Sequence, residues 1–175
     1  MLPNDLLNWL TSQLTYLVPL LSVIVAAVAA FFSYKSAKAS LLAHEAKLLR
    51  EFSVHYARPE FSEHLRNLRS WLERHGTESG EYFLTMLKSN DPFAVSVDEA
   101  RRAVKFHFED AAKLGRSKYL RKGAVQQICC EAGMDLYFDV AIPLTLAMNP
   151  KLDLASHNFL RKLKLRRHDS IQRIR

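Results

Sequence analysis

Residues Leu14–Tyr34 read LTYLVPLLSVIVAAVAAFFSY, 21 positions without a charged side chain. At 1.5 Å of rise per residue, a helix of that length reaches about 31 Å, the thickness of a bilayer's hydrocarbon core. Two other structures accept an apolar run this long. A buried core helix needs a large domain around it, and the rest of the chain is too short and too charged to supply one. A cleavable secretory signal wants a basic leader, whereas Asp5 is the one charged side chain in Met1–Gln13. The run Ala27-Val28-Ala29 resembles a small-residue cleavage site but lacks that leader. The stretch is therefore expected to cross a membrane once. That divides the chain into a short extracytoplasmic segment 1–13, a span 14–34, a helical domain 35–150 and a basic C-terminal helix or tail 151–175.

The flanks set the expected direction. Lys35, Lys38, Lys47 and Arg50 follow the span, opposed up to residue 50 only by Glu45. Basic residues favour the cytoplasmic side, so the N-terminus is expected outside and everything after Tyr34 inside. In a bacterium this is the inner membrane. Tyr16, Phe31, Phe32 and Tyr34 stand where interfacial aromatics belong, Trp9 suits the outer headgroups, and Pro19 lies inside the span.

A second pattern runs along the same helix. Thr11, Thr15, Ser22, Ala26, Ala29, Ser33, Ser36 and Ser40 recur near whole turns and share one face. Lipid gives helices no hydrophobic drive to associate, and small residues allow the close backbone approach that does. Thr15, Ser22, Ala26, Ala29 and Ser33 are the candidate helix-packing or pore-lining residues. They point to the lipid bilayer and to further copies of the chain as partners. A packing seam and the wall of a wet pore both fit the pattern.

The remaining residues describe an all-α domain. Of the net charge of +7, Lys151–Arg175 supplies most, with eight basic residues against Asp153 and Asp169. The adjacent Cys129 and Cys130 give neither a disulfide framework nor zinc-ligand spacing. Lys35–Ala57 is rich in helix formers and continues the span, with Leu41, Leu42, Leu48, Leu49 and Phe52 as its apolar contacts. Pro59 opens a helix whose stripe is Phe61, Leu65, Leu68 and Leu72, and Gly76 closes it. A short helix follows over Tyr82–Lys88. Ser96 and Glu99 form a capping box with Asp98 at the positive end of the dipole. The helix they open carries the stripe Ala100, Ala103, Val104, His107, Phe108, Ala111 and Leu114, ended by Gly115. Gly123–Met148 reads as two short helices or one kinked helix, and the tail from Asp153 as a last helix that frays. No alternating segment of strand length appears.

Chemistry-bearing motifs are sparse. The five glycines make no GxGxxG or phosphate loop, and neither HExxH nor GxSxG occurs. No cofactor and no metal is expected. The basic tail suits anionic lipid headgroups or a partner protein better than RNA, since Phe159 is its one aromatic. The segment Arg102-Ala-Val-Lys-Phe-His107 has the Arg-x4–6-His spacing. Arg50/His55, Arg58/His64, Arg69/His75 and Arg161/His168 share it.

That spacing is the motif of HEPN domains, all-helical modules that cut RNA or bind nucleotides as dimers. With its anchor and small helical domain, the chain resembles the membrane-anchored accessory proteins encoded beside the RNA-guided RNase of type VI-B CRISPR systems, whose domain is described as a divergent HEPN. The resemblance implies a self-associating effector of antiviral defence that perturbs inner-membrane permeability as a homo-oligomeric pore, linked in function to that RNase. It also implies Arg102 and His107 as catalytic residues, with RNA or a nucleotide as ligand. On one helix, residues five apart lie about 140° apart, so such a site is expected to be shared between two protomers. His107 also falls on the apolar stripe, where core packing is the competing role. Three functions follow in order: a membrane pore, a membrane-tethered HEPN-type ribonuclease or nucleotide-binding module, and a non-catalytic tether for a partner complex.

Overall fold

Only Pro19 interrupts the helix-forming run at the N-terminal end, and α1 accordingly extends over Asn4–Tyr56. The structure is a computed structural model that describes the backbone of residues 4–77, 79–129 and 132–172 and the side chains of 15, 17–77, 79–129 and 132–164. The expectations placed on the side chains of Trp9, Thr11, Tyr16, Cys130 and His168 lie outside the described residues. Among the described residues the fold is all-α, without strands. The chain divides into two units, Met1–His44 and Glu45–Arg175.

In the first unit every described side chain, Thr15 and residues 17–44, stands exposed. Leu20, Val23, Val25 and Phe32 are among the most open. Leu41 and Leu42, expected to pack inward, are also exposed; the apolar contacts begin at Leu48, Leu49 and Phe52. Among the described residues, Leu17–Tyr56 is the one helical segment long and apolar enough to cross a membrane. Its 40 residues reach about 60 Å, twice a hydrocarbon core. The uncharged portion up to Tyr34 matches the core by itself.

The second unit is built around α4 (Pro92–Arg116), against which α2 (Pro59–His75), α3 (Gly80–Lys88), α5 (Lys122–Ile128), α7 (Ile142–Met148) and α8 (Ala155–Gln172) pack. Trp71, Phe83, Val97, Val104, Phe108, Val125, Tyr137, Leu144 and Leu160 form its centre. α2 starts at Pro59, as its fixed φ favours, and stops where Gly76 adopts φ 71° and donates its N–H to the Leu72 carbonyl. The stripe of α2 includes Trp71, wholly buried and donating from Nε1 to Ser79 Oγ at 2.7 Å.

α4 starts earlier than its capping-box signature implies. Asp91 is the cap: its Oδ1 accepts from the Ala94 N–H at 2.9 Å, and Pro92 takes the first helical position. Ser96 is already inside the helix, its hydroxyl donating back to the Phe93 carbonyl. Asp98 does not sit at a helix end either. It is buried and accepts from Arg101 Nε at 2.9 Å, while Arg101 Nη1 donates to Thr145 Oγ1 at 2.7 Å, tying α4 to α7. Gly115 does not end α4, which runs one residue further. A Cβ at Gly115 would lie 2.7 Å from Val125 Cγ2 and 3.1 Å from the Phe159 ring, so close packing accounts for this glycine.

After α5, a short α6 (Gly133–Leu136) passes through a π-helical turn (Tyr137–Ala141) into α7, with Pro143 in the first turn of α7. The start of α8 is a core element: Leu160 and Leu163 are buried against the rest of the unit.

Candidate functional site

Two features stand out, one in each unit. In the first, Thr15, Ser22, Ala26, Ala29 and Ser33 fall within about 60° of one another around α1, at 100° per residue. All five are exposed. Ser22 Oγ donates to the Pro19 carbonyl at 2.7 Å, so its one proton serves its own helix. A hydroxyl committed in this way suits a packing seam better than a wet wall. At the end of the span, Lys35 Nζ lies 5.0 Å from the centre of the Phe31 ring, within cation–π range.

In the second unit, the end of α1 and the outer side of α4 enclose an open groove of about 880 Å³. Leu48, Phe52, Ala103, Phe106 and Leu114 form its apolar surface, and Glu51, His55, Arg58, Arg102, His107, Asp110 and Lys113 supply its polar groups. Arg102 and His107 thus line the same groove within one chain. They enter it from different levels, as their angular separation implies: His107 comes from its floor, 4 % exposed, and the long Arg102 side chain, 69 % exposed, from its rim. Arg102 also shares Asp98 with Arg101. Two guanidinium groups on one carboxylate leave that cluster a net positive charge.

The sequence stripe singles out His107, but the accessible imidazole is that of His55. The two rings are stacked, with centroids 5.4 Å apart and planes at 15°, and their Nδ1 atoms lie 3.3 Å apart. One Nδ1 must carry hydrogen and the other accept, so each ring constrains the other's tautomer. His107 is packed among Phe52, Tyr56, Phe61 and Phe108. That apolar housing is the core role its stripe position suggested. His55, well past the span, opens to solvent. Partial burial pushes its pKa below the ordinary histidine value, and the neighbouring His107, Arg58 and His64 push it the same way. The Arg50/His55 spacing was one of five similar pairs, and nothing in sequence set it apart; the meeting of α1 with α4 does.

Two ties hold the end of α1 in place. Glu45 is buried and accepts from Arg121 N at 2.9 Å and Arg121 Nε at 2.6 Å. Tyr56 Oη accepts from the Gly133 N–H at 2.9 Å. Among the described residues no group of three or more His, Cys, Asp or Glu side chains is placed to hold a metal ion.

No protein-family model, curated protein or solved structure matches the chain.

Proposed function

We propose that the chain is a single-pass inner-membrane protein, oriented with its N-terminus outside, whose copies associate through the small-residue face of α1 and make the bilayer permeable. The observation that carries this reading is the exposure of every described side chain from Leu17 to Tyr34, large apolar ones included. A continuous apolar surface of that extent is covered by lipid or by other chains. The small-residue face serves as the seam between copies, and the apolar side chains beside it constrict the lumen. An uncharged lumen of this kind gates by dewetting and is poorly ion-selective. Burial of Glu45 on Arg121 leaves Lys35, Lys38, Lys47 and Arg50 exposed after the span, which supports a cytoplasmic second unit. The resemblance to accessory proteins of RNA-guided RNases supports antiviral defence as the setting of this permeability change, with a HEPN-related cytosolic unit.

Replacing Ser22, Ala26 and Ala29 together by leucine tests the reading. Permeabilisation and self-association should be lost while the protein stays in the membrane. An unchanged dye or ion leak in cells expressing the triple variant would overturn it. A membrane-tethered ribonuclease or nucleotide-binding module is the second reading, favoured by the convergence of Arg102 and His107 on one groove. It requires RNA cleavage or nucleotide binding by the purified protein that is lost in a folded His107 variant.

A further inference from the structure

We infer that the groove between α1 and α4 binds a phosphoryl group carried on an apolar or aromatic body, with Arg58, Arg102 and His55 at the head and Phe52 and Phe106 along the body. The inference does not depend on the membrane span. It rests on the binding form of the second reading, whose groove it shares, and involves no bond cleavage.

The groove is graded along its length. Glu45 meets Arg121 beyond the C-terminal end of α4 and His55 meets His107 in its middle, so the two helices run antiparallel, with Arg58 toward the Arg102 end and Leu48 toward the Leu114 end. The first end gathers two guanidinium groups and an accessible imidazole. Among the described residues Arg58 has no carboxylate partner, and Arg102 shares its partner with Arg101. Each of the two acids in the lining has a lysine beside it: Asp110 pairs with Lys113 at 3.3 Å within the groove, and Glu51 lies 4.0 Å from Lys47. Guanidinium groups recognise a phosphoryl group through forked, charge-assisted hydrogen bonds, and Arg58 has its whole fork to offer.

The middle of the groove is apolar and carries one feature that folding does not explain. Phe106 is 65 % exposed, one turn of α4 beyond Arg102, and its ring holds Lys113 Nζ at 5.6 Å. An exposed phenyl ring beside a cationic end offers a face to an aromatic base or an alkyl chain. A volume of about 880 Å³ suits a ligand of several hundred daltons rather than a bare anion.

Binding also has a proton signature. The groups facing His55 are His107, Arg58 and His64, with Glu51 and Asp110 as the acids of the groove. Burial first, and then those three bases, lower the His55 pKa, and an arriving dianion opposes that shift and favours its proton.

The test titrates the purified full-length chain in non-ionic detergent with phenyl phosphate, hexyl phosphate, adenosine monophosphate and inorganic phosphate, read by calorimetry and by imidazole NMR. At least one organic phosphate should bind roughly tenfold more tightly than inorganic phosphate, and Arg58→Gln should weaken it roughly tenfold or more. Phe106→Ala should weaken the organic phosphates and leave inorganic phosphate unchanged. His55 should titrate at higher pH in the complex than in the free protein. Tighter binding of the monophosphate than of hexyl phosphate identifies a nucleotide as the source, and the reverse order a lipid-like phosphate. The inference is overturned if no probe saturates, if Arg58→Gln binds as the native chain does while its helical circular dichroism is retained, or if inorganic phosphate binds as tightly as the organic probes. Binding insensitive to both Arg58 and Phe106 overturns this site while leaving nucleotide binding elsewhere on the chain intact.

Discussion

An arginine pair in the middle of the apolar stretch gives the sharpest quantitative prediction. Ile24 and Val28 lie one turn apart near its centre, and both are exposed. The stretch Leu14–Tyr34 contains eleven Leu, Ile, Val and Phe residues. Each contributes about −0.3 to −0.6 kcal/mol to insertion at the helix centre and less toward the ends, which bounds the favourable sum near −3 to −6 kcal/mol. A central arginine costs about 2.5–3.5 kcal/mol, so each substitution removes roughly 3–4 kcal/mol with the lost aliphatic contribution included. One arginine should bring insertion close to balance, and the pair Ile24→Arg/Val28→Arg should abolish it. The assay is alkaline carbonate extraction of isolated membranes. The native chain should remain in the pellet, the single variants should divide between fractions, and the double variant should leave it. Ser53→Arg, beyond the span and exposed, should behave as native. A double variant retained as fully as the native chain would refute the reasoning, because a soluble or peripheral protein has no such sensitivity to depth.

Three further outcomes follow from the second unit. Asp98→Ala strands the buried Arg101 guanidinium and should cost about 3–5 kcal/mol in denaturant unfolding, with Asp98→Leu/Arg101→Met recovering most of it. Gly115→Ala forces a methyl group against Val125 and Phe159 and should cost about 1–3 kcal/mol, read as a lower Tm. Stability should also fall on mild acidification. His157 is held below the ordinary histidine pKa first by burial and then by Arg161, and His55 first by burial and then by His107, Arg58 and His64. The unfolded chain therefore binds protons more readily than the native one. Stability is full above about pH 6.5 and declines as pH falls through that value toward the lower native pKa values. His157→Gln should flatten the decline, and an unchanged slope in that variant would assign the effect elsewhere.

Much of the helical frame was legible because its signals are local. Pro59 and Gly76 bracket α2 through backbone geometry that neighbours cannot alter, and the apolar spacing of α4 survives intact. Competition between local signals was harder to read. Asp91-Pro92 and Ser96-x-x-Glu99 both announce a helix start, and the earlier one prevails because a proline at the first position and a carboxylate cap act together. Asp98 could not be read as buried, since the Arg101 that binds it is itself held by Thr145, 44 positions further along on α7. The groove shows the same limit. Arg102 and His107 are visible as a spacing, but His55 and Arg58 join them only through the meeting of two helices. The small-residue face of α1 is the opposite case: a single helix fixes it, so sequence and structure agree on which residues share it.

The mass of the detergent-solubilised particle tests the central claim most directly. The account predicts a discrete particle containing several copies of the 20.1 kDa chain, reduced to single copies by the Ser22, Ala26 and Ala29 leucine substitutions. A native particle holding one chain would contradict it.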